Sequence, residues 1–387
     1  MSRFWKQSVA LLALAAVVGL WCFSPSLAKP PGGGYTALVL DPKLPQTADS
    51  ILALDVNDHN SVVGYTSTAS NEHHALFWTV AGGKVTAFHL GSGAMANGVN
   101  NHDAAVGLRG GTDGTMAVYW PGPQVPPTDL LPPDGHVSSA ARKINDHGFV
   151  VGGSRESGSM RDTPVAWRII ESGGQPVVSQ PLVLGRLALD KDAWAEDVGQ
   201  AEEVENGVYA ARVCGTAYDS NDNERAVIWD VVSFVDAQGV PQMDVVSGPT
   251  DLGALPGDSE SYGDAINKYG DVCGTPGFRK LFGQPIEPLL PPSSIQEPGF
   301  SHLGGINDKA EVVGTYYYGF GYSAPILWRA DGSATNLDQF VGGTGWGSFN
   351  NPLAINNSGA IVGHGRRYSG GKRNAQLVNG AFILIPK

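Results

Sequence analysis

The amino-acid sequence predicts an all-β fold: a seven-bladed β-propeller built from four-stranded antiparallel blades. Three observations lead to this prediction. One sequence unit recurs seven times between residue 50 and the C-terminus, each copy contains short β-type runs in a fixed order, and the glycines that mark successive copies are 40 to 63 residues apart. Four-stranded units at such a spacing are typical of propeller blades, in which each small sheet covers the faces of its neighbours.

The first half of each unit is an apolar run, an Asn-containing turn and a second apolar run that ends in Gly. In the third copy it reads Ile144-Asn145-Asp146-His147-Gly148, followed by an apolar run to Gly152. This pattern predicts two short strands joined by a tight turn, in which the Asn side chain bonds to the local backbone. The turn asparagines are Asn57, Asn100, Asn145, Asn267, Asn307 and Asn356. The fourth copy is degenerate and carries an acidic insertion with Glu202, Glu203 and Glu205.

The second half of each unit is a third run that usually ends in an aromatic residue, then a turn and a fourth run. Five copies place Trp there: Trp78, Trp120, Trp167, Trp229 and Trp328. Because the runs are apolar on both sides, we expect these rings to pack between blades. In the last copy Asn379-Gly380 predicts a hairpin before a fourth strand at residues 381–385. The run at residues 35–40 belongs to no complete unit, and we expect it to pair with the last blade and close the ring.

The N-terminus differs in character from the rest of the chain. Arg3 and Lys6 precede an apolar run at residues 8–23, and small residues at Ser26 and Ala28 fit signal-peptidase cleavage. The predicted organisation is a signal peptide (1–28), a linker (29–34) and one propeller domain (35–387). An uncleaved membrane anchor is the alternative, although the apolar run is short for a span of about 20 residues. We therefore expect a monomer that is secreted, periplasmic or on the cell surface, with no transmembrane segment after cleavage.

Charge and cysteine usage narrow the classes of partner. The formal net charge is −12, and removal of Arg3 and Lys6 makes it −14, which disfavours nucleic acid as a partner. Cys214 and Cys273 occupy equivalent positions in successive copies. Such positions should lie further apart than the Cα limit of about 7 Å for a disulfide, so we expect two buried free thiols.

The repeats carry a family resemblance. The Asn-Asp-x-Gly turn with Val-Val-Gly, followed by the His74-Ala75-Leu76-Phe77 strand, resembles the extracellular repeat proteins named HAF after that tripeptide. The likeness covers about residues 50–387 and recurs in register. It implies a secreted, propeller-like protein and supplies no catalytic residues. Only the first copy keeps the His of the tripeptide.

Two polar groups could suggest a metal site. His59, His102 and His147 share one turn position, but equivalent turns in a ring should point away from one another, which favours solvent-facing turn residues. Asp219, Asn221 and Asn223 have the alternate oxygen ligands of a calcium loop, yet Glu224 stands where such a loop requires Gly. We therefore expect no cofactor, with adventitious Ca²⁺ at this loop as the weaker alternative. The sequence also lacks a nucleophile elbow, a phosphate-binding loop and a zinc-protease motif.

Loop length indicates where binding occurs. The first-to-second and third-to-fourth connections are tight, whereas the other connections, which share the opposite face, are longer and more varied. On that face the sixth and seventh units are rich in aromatic and basic residues. The candidate ligand-binding residues are Tyr316, Tyr317, Tyr318, Phe320, Tyr322, Trp346, Phe349, Arg366, Arg367, Tyr368 and Arg373. Rings beside Arg could stack on sugars or hold an anionic glycan, whereas the alternative is that they pack on their own loops.

The sequence thus favours a secreted binding module for a polysaccharide or an extracellular protein. A polysaccharide lyase or glycoside hydrolase is the alternative, because propellers host both activities. Inward-facing carboxylates with shifted pKa values at the mouth of the central channel would favour the enzyme. An empty or apolar mouth would favour the binding module.

Overall fold

The computed structural model describes residues 34–43, 48–111, 114–159, 161–369 and 375–387. The predicted signal peptide and nearly all of the predicted linker lie outside these residues. Within them the protein is almost entirely β-structure, and the only helical element is a 3-10 turn, η1 (Leu337–Phe340). No helix in the described part is long and apolar enough to cross a membrane.

Seven antiparallel sheets form seven blades, which confirms the predicted fold. Blade one comprises β2 (Ala48–Val56), β3 (Val62–Thr68), β4 (His73–Ala81) and β5 (Lys84–Ser92); blade two comprises β6 (Ala94–Val99), β7 (Ala105–Gly110), β8 (Thr115–Trp120) and β9 (Thr128–Leu130). Blade three comprises β10 (His136–Ile144), β11 (Phe149–Glu156), β12 (Asp162–Ser172), β13 (Gln175–Val178) and β14 (Leu182–Val183), of which the last two both pair with β12.

The remaining blades follow the same order along the chain. Blade four comprises β15 (Ala193–Val198), β16 (Glu202–Glu205), β17 (Val208–Tyr218), β18 (Glu224–Val235) and β19 (Pro241–Asp251); blade five comprises β20 (Ala265–Ile266), β21 (Val272–Gly274), β22 (Phe278–Lys280) and β23 (Glu287–Pro288). Blade six comprises β24 (Gly299–Ile306), β25 (Val312–Tyr318), β26 (Tyr322–Trp328) and β27 (Ala334–Asn336); blade seven comprises β28 (Trp346–Ile355), β29 (Ile361–Ser369), β30 (Gln376–Pro386) and β1 (Tyr35–Val39). The acidic insertion of the fourth unit forms β16, which extends the blade as an exposed hairpin with β17.

The first strand of each blade is innermost. First strands of successive blades contact one another around the ring, from β2 through β28 and back to β2. The chain runs outward through each blade, so the first-to-second and third-to-fourth turns lie on one face, which we call the tight-turn face. The second-to-third connections and the links between blades lie on the other, which we call the connection face.

The N-terminal strand closes the ring, as predicted. β1 pairs antiparallel with β30 from Tyr35↔Pro386 to Val39↔Phe382, and the Leu40 N–H donates to the Ala381 carbonyl at 2.9 Å. The predicted hairpin at Asn379-Gly380 is wrong, because β30 is one continuous strand through both residues. Because β30 pairs with β29 along its whole length, it is the third strand of blade seven and not two strands. β1 is therefore the fourth strand of this blade.

The recurring Trp residues form the packing between blades. Trp78, Trp120, Trp167, Trp229 and Trp328 are all at most 2% exposed. Four of the five indoles also donate a hydrogen bond from Nε1 to a backbone carbonyl in the segment that leads into their blade. The pairs are Trp78 with Asp41, Trp167 with Leu131, Trp229 with Gly185 and Trp328 with Leu290. Each of these Trp residues therefore fixes both a blade interface and the link that leads into it. Cys214 and Cys273 are buried free thiols, as predicted.

Candidate functional site

The turn asparagines form a ring around the axis on the tight-turn face. Asn57 Oδ1 accepts from the backbone N–H groups of His59 at 3.0 Å and Ser61 at 2.9 Å, which confirms the predicted local bonding. Its Nδ2 also donates to the Asn100 carbonyl of the next blade at 2.8 Å. The same inter-blade bond recurs from Asn100 to Asn145, from Asn267 to Asn307, from Asn307 to Asn356 and from Asn356 back to Asn57. Equivalent turns therefore converge, contrary to the expectation that they point away from one another.

The residue after each Asn forms a second, outer ring. The Asp58 N–H donates to Asn101 Oδ1 at 2.8 Å, the Asn101 N–H to Asp146 Oδ1 at 2.8 Å, and the Asp146 N–H to Gln200 Oε1 at 3.1 Å. Among the described residues both rings have one seam, between blades four and five. The degenerate fourth unit has Gly199 in the Asn position, and this Gly accepts from Asn145 but has no side chain with which to donate onward.

A cluster of charged side chains lies on the innermost strands, and Asp55, Lys143 and Asp197 of this cluster line the axial cavity. We call Asp55, Arg142, Lys143, Glu196 and Asp197 the channel cluster. Lys143 Nζ lies 2.6 Å from Asp55 Oδ1, and Arg142 Nη1 lies 2.9 Å from Glu196 Oε2. Both pairs join different blades. β-Bulges place these side chains here, because the pairing register shifts between Ala53 and Asp55, between Ala141 and Lys143, and between Ala195 and Asp197.

The pKa values of the channel cluster are shifted. Burial raises the pKa of Asp197 to about 6 against the opposing charge of Lys143, and burial also raises the pKa of Glu196. Asp264, which directly precedes β20 in the next blade, has its pKa raised by burial to about 7. For Lys143, burial lowers the pKa, but the Asp55 and Asp197 carboxylates outweigh that effect and hold it above its ordinary value.

The channel is therefore neither empty nor apolar, and one carboxyl group that lines it, that of Asp197, has a raised pKa. Two carboxylates of the channel cluster, however, serve as ties between blades. Asp55 Oδ2 accepts from the Val99 N–H at 2.9 Å, and Asp197 Oδ2 accepts from the Ile266 N–H at 3.0 Å. The axial cavity, which residues of all seven blades line, measures about 150 Å³. Ligand pockets usually measure about 300 to 1,000 Å³, so the cavity as it stands is too small for a sugar residue.

The channel cluster could have been found in the sequence, because its charged residues interrupt the repeat pattern. They occupy the second and third places before the turn, where other copies carry small or apolar residues such as Gly304, Gly305 and Ala354. A charge inside an otherwise apolar strand indicates a special environment. The alignment on Gly and Asn draws attention to the turn instead of to these places.

Three of the predicted site aromatics are inside the protein. Trp346 is 3% exposed and Phe349 is 0% exposed, and both pack with Phe382 in the cluster between blades six and seven. Tyr316 is 6% exposed, and its hydroxyl donates to the Glu297 carbonyl at 3.2 Å. These rings are packed in the structure and are not offered at the surface. The remaining tyrosines lie on strand ends and not in one loop as expected, because β25 extends to Tyr318 and β26 begins at Tyr322.

Several aromatic residues lie together at the end of blade six on the connection face. We call Phe300, Tyr317, Tyr318, Phe320 and Tyr322 the blade-six tip. Phe320 projects fully into solvent, Tyr322 is 51% exposed and Phe300 is 46% exposed. On one side of the sheet Tyr322 stacks on Tyr318 with ring centroids 5.9 Å apart, and Tyr318 stacks on Tyr316 at the same separation. On the other side Phe300 stacks on Tyr317 at 5.4 Å.

The basic part of the predicted site belongs to the same face of blade seven. Arg366 and Tyr368 are exposed and Arg367 is half-buried on β29. Arg373 lies outside the described residues. The geometry thus leaves Arg366, Tyr368 and the blade-six tip available for contact, and ligand binding there stays a prediction.

The predicted calcium loop is an ordinary polar turn in this structure. Asp219 Oδ1 accepts from the backbone N–H groups of Asn221 at 2.8 Å and Asn223 at 3.0 Å, and these bonds lower the pKa of the carboxyl. Glu224 points away to Tyr218. No group of His, Cys, Asp and Glu residues suited to a metal ion occurs within the described ranges. Calcium binding at Asp219, Asn221 and Asn223 stays a prediction.

No protein-family model matches the sequence, and no curated protein matches it. Solved structures are similar at low identity. An acylaminoacyl peptidase from Pyrococcus horikoshii is 9% identical with a TM-score of 0.47, over 85% of this chain and 52% of the peptidase, so the chain spans about half the length of that protein. An α-L-arabinofuranosidase from Podospora anserina in complex with cellotriose is 12% identical with a TM-score of 0.28, over 93% and 98% of the two chains. A protein from Lactobacillus plantarum is 12% identical with a TM-score of 0.35, over 86% and 96%.

Proposed function

We propose that this chain is a secreted binding module of the HAF-repeat type that contacts a glycan or an extracellular protein through the blade-six tip, with Arg366 and Tyr368 of blade seven on the same face of the propeller. The observation that carries the proposal is the stack of Tyr316, Tyr318 and Tyr322. Its inner ring is buried and its outer ring is half exposed.

A stack of this kind is suited to recognition. The inner rings hold Tyr322 in one orientation, so binding a flat apolar surface such as a sugar face costs little side-chain entropy. Fully exposed Phe320 adds apolar area that a folded monomer does not otherwise need at its surface. The guanidinium of Arg366 would favour ligands that carry carboxylate or sulfate groups.

Alanine substitution tests the proposal. Glycan-array binding and calorimetry with the purified protein should show at least about a tenfold loss of affinity, or about 1.4 kcal/mol, for Tyr322→Ala and Phe320→Ala. Tyr269→Ala is the matched control, because Tyr269 is 58% exposed but lies in a turn of the tight-turn face. Equal affinity of Tyr322→Ala, Tyr269→Ala and the unaltered protein for every bound glycan or partner would remove the blade-six tip as the contact surface.

A carbohydrate-cleaving hydrolase or lyase is the second candidate, favoured by the raised pKa values of Glu196, Asp197 and Asp264. Such carboxyl groups suit general acid chemistry near neutral pH. For this function the small axial cavity would have to open to admit a sugar. Loss of polysaccharide cleavage in Asp264→Asn, with binding through Tyr322 retained, would support the enzyme. Absence of any cleavage by the unaltered protein on the glycans that it binds would exclude it for those glycans.

A further inference from the structure

A second, larger cavity lies between blades two and three on the tight-turn face. It measures about 430 Å³, which is within the usual range for small-molecule sites. Its walls include the ends of the third strands of the two blades and both Asn-containing turns, with His102 from one turn and His147 from the next.

The cavity contains a buried cation without a counter-ion. Arg168 is 7% exposed, lines the cavity and forms no ion pair with a described carboxylate. Its Nη1 donates to the Ile169 carbonyl at 2.5 Å, while its Nε has no hydrogen-bond partner within the described part of the chain. Its guanidinium lies 4.9 Å from the centroid of the Phe149 ring and 5.9 Å from the centroid of the Tyr209 ring of blade four. Burial lowers its pKa to about 10, as expected for a charge that the surrounding residues do not compensate.

Another buried arginine, Arg279, has the carboxylate partner that Arg168 lacks among the described residues. Arg279 is 4% exposed, and its Nε and Nη2 atoms lie 2.8 and 2.6 Å from Glu287 Oε1. Its Nη1 donates to the Ala310 carbonyl at 2.8 Å. A buried charge is costly unless it is paired, and two aromatic rings and one carbonyl compensate the charge of Arg168 only in part.

Two histidines add donors at the same cavity. His147 Nδ1 is buried without a hydrogen-bond partner, and the ring packs 5.2 Å from Tyr209. His102 lines the cavity from the preceding blade and is exposed at its rim. Burial lowers the pKa of His147, and the charge of Arg168 lowers it further.

The other walls define the size and chemistry of the occupant. Tyr119, Pro121 and Ile169 supply apolar surface. The lining acids are Asp146, whose Oδ1 and Oδ2 atoms both accept from Asn101, and Glu171, which is exposed. Neither forms an ion pair with Arg168 in the structure. The site therefore combines an unpaired guanidinium and imidazole donors with room for a carbon skeleton.

We propose that this cavity binds a small organic anion, whose carboxylate or phosphate group pairs with Arg168 between His102 and His147 while its body lies along Tyr119 and Ile169. The site lies on the face opposite the blade-six tip and does not depend on the function proposed for that surface. Guanidinium and carboxylate or phosphate form charge-assisted hydrogen bonds, which would compensate the buried charge.

Glucuronate, glucose and inorganic phosphate are suitable probes, because glucuronate differs from glucose at the carboxylate. Histidine ring resonances of the full protein, followed by NMR, should move saturably for His102 and His147 on addition of glucuronate or phosphate at millimolar concentration. The resonances of His59, at the equivalent turn position of blade one, should not move. Glucose should leave all three unchanged.

Variants assign the effect to the cavity. Arg168→Met keeps the length and apolar character of the side chain, and we expect it to weaken anion binding at least about tenfold, as should His102→Gln at the exposed rim. His59→Gln should bind both anions as the unaltered protein does. If Arg168→Met does not fold, His102→Gln and His147→Gln carry the test. Absence of saturable shifts with both anions, or equal affinity in the His102→Gln and His59→Gln variants, would overturn the proposal.

Discussion

The ring of turn asparagines should contribute measurably to stability, and Asn57→Ala is the sharpest test of that role. Asn57 is 4% exposed, and its amide joins its own turn to the next blade. The substitution removes acceptors for the His59 and Ser61 N–H groups and donors to the Asn100 carbonyl and Asp103 Oδ1. The free-energy cost differs among these four groups, because they differ in their access to water and to other hydrogen-bond partners.

The magnitude follows from the groups that remain buried. The Ser61 N–H has no route to solvent, since Ser61 is 4% exposed, and an unsatisfied buried donor costs about 1 to 3 kcal/mol. The Asn100 carbonyl keeps a second hydrogen bond, from the Asp103 N–H at 3.1 Å. Loss of its bond from Asn57 Nδ2 should therefore cost only about 1 kcal/mol. We therefore expect Asn57→Ala to lower the free energy of unfolding by about 2 to 4 kcal/mol.

Urea unfolding followed by Trp fluorescence measures this loss, because the five recurring Trp residues of the repeats are buried and report on the blade interfaces. His59→Ala is the matched control in the same turn, since this side chain is exposed and should be removed at a cost within about 0.5 kcal/mol. A loss for Asn57→Ala no larger than that of His59→Ala would refute the structural role of the ring.

Three further outcomes follow from the same structure. Leu38→Asp on the closing strand should destabilise blade seven by about 3 kcal/mol or more and expose the edge of β30. The exposed edge should cause aggregation, which light scattering would detect. A soluble variant with an unchanged melting temperature would contradict closure of the ring by β1. Lys143→Met should cost about 3 to 5 kcal/mol because Asp55 and Asp197 lose their cation, and Asp55→Asn in the same chain should restore part of it. A loss in the double variant equal to the sum of the losses in the two single variants would show that the pair is not coupled. Because burial raises the pKa of Asp264 from 3.8 to about 7, its contribution to stability is full below about pH 4 and is lost as the pH rises to 7. Asp264→Asn should therefore gain stability relative to the unaltered protein over that interval, by at most about 4 kcal/mol, in denaturation curves measured at several pH values; a pH-independent difference would contradict the shifted pKa.

The architecture could be predicted from sequence because it rests on a repeated local pattern. The turn asparagines, the apolar runs and the Trp residues each report on strand order and burial, and the run at residues 35–40 has no other place to pair. The hairpin predicted from Asn379-Gly380 is wrong for a physical reason. Gly380 lies opposite Gly365 and under the side chain of Arg367, so Gly serves close packing within a strand there and not a turn.

The candidate sites were harder to predict because they depend on relations between blades. Whether Trp346 faces solvent or Phe382 is decided by the register of β28 and not by its neighbours in sequence. The convergence of turns at the axis likewise follows from ring closure. Arg168 gave no local signal, since only the packing of two blades shows that it lacks a carboxylate partner.

The most direct test of the proposed function is glycan-array binding of the purified protein beside its Tyr322→Ala and Tyr269→Ala variants. We expect selective binding of one or more polysaccharides by the unaltered protein and by Tyr269→Ala, and loss of that binding in Tyr322→Ala without a lower melting temperature. Binding that survives in Tyr322→Ala, or a melting temperature that falls together with binding, would contradict the assignment of the blade-six tip as the contact surface.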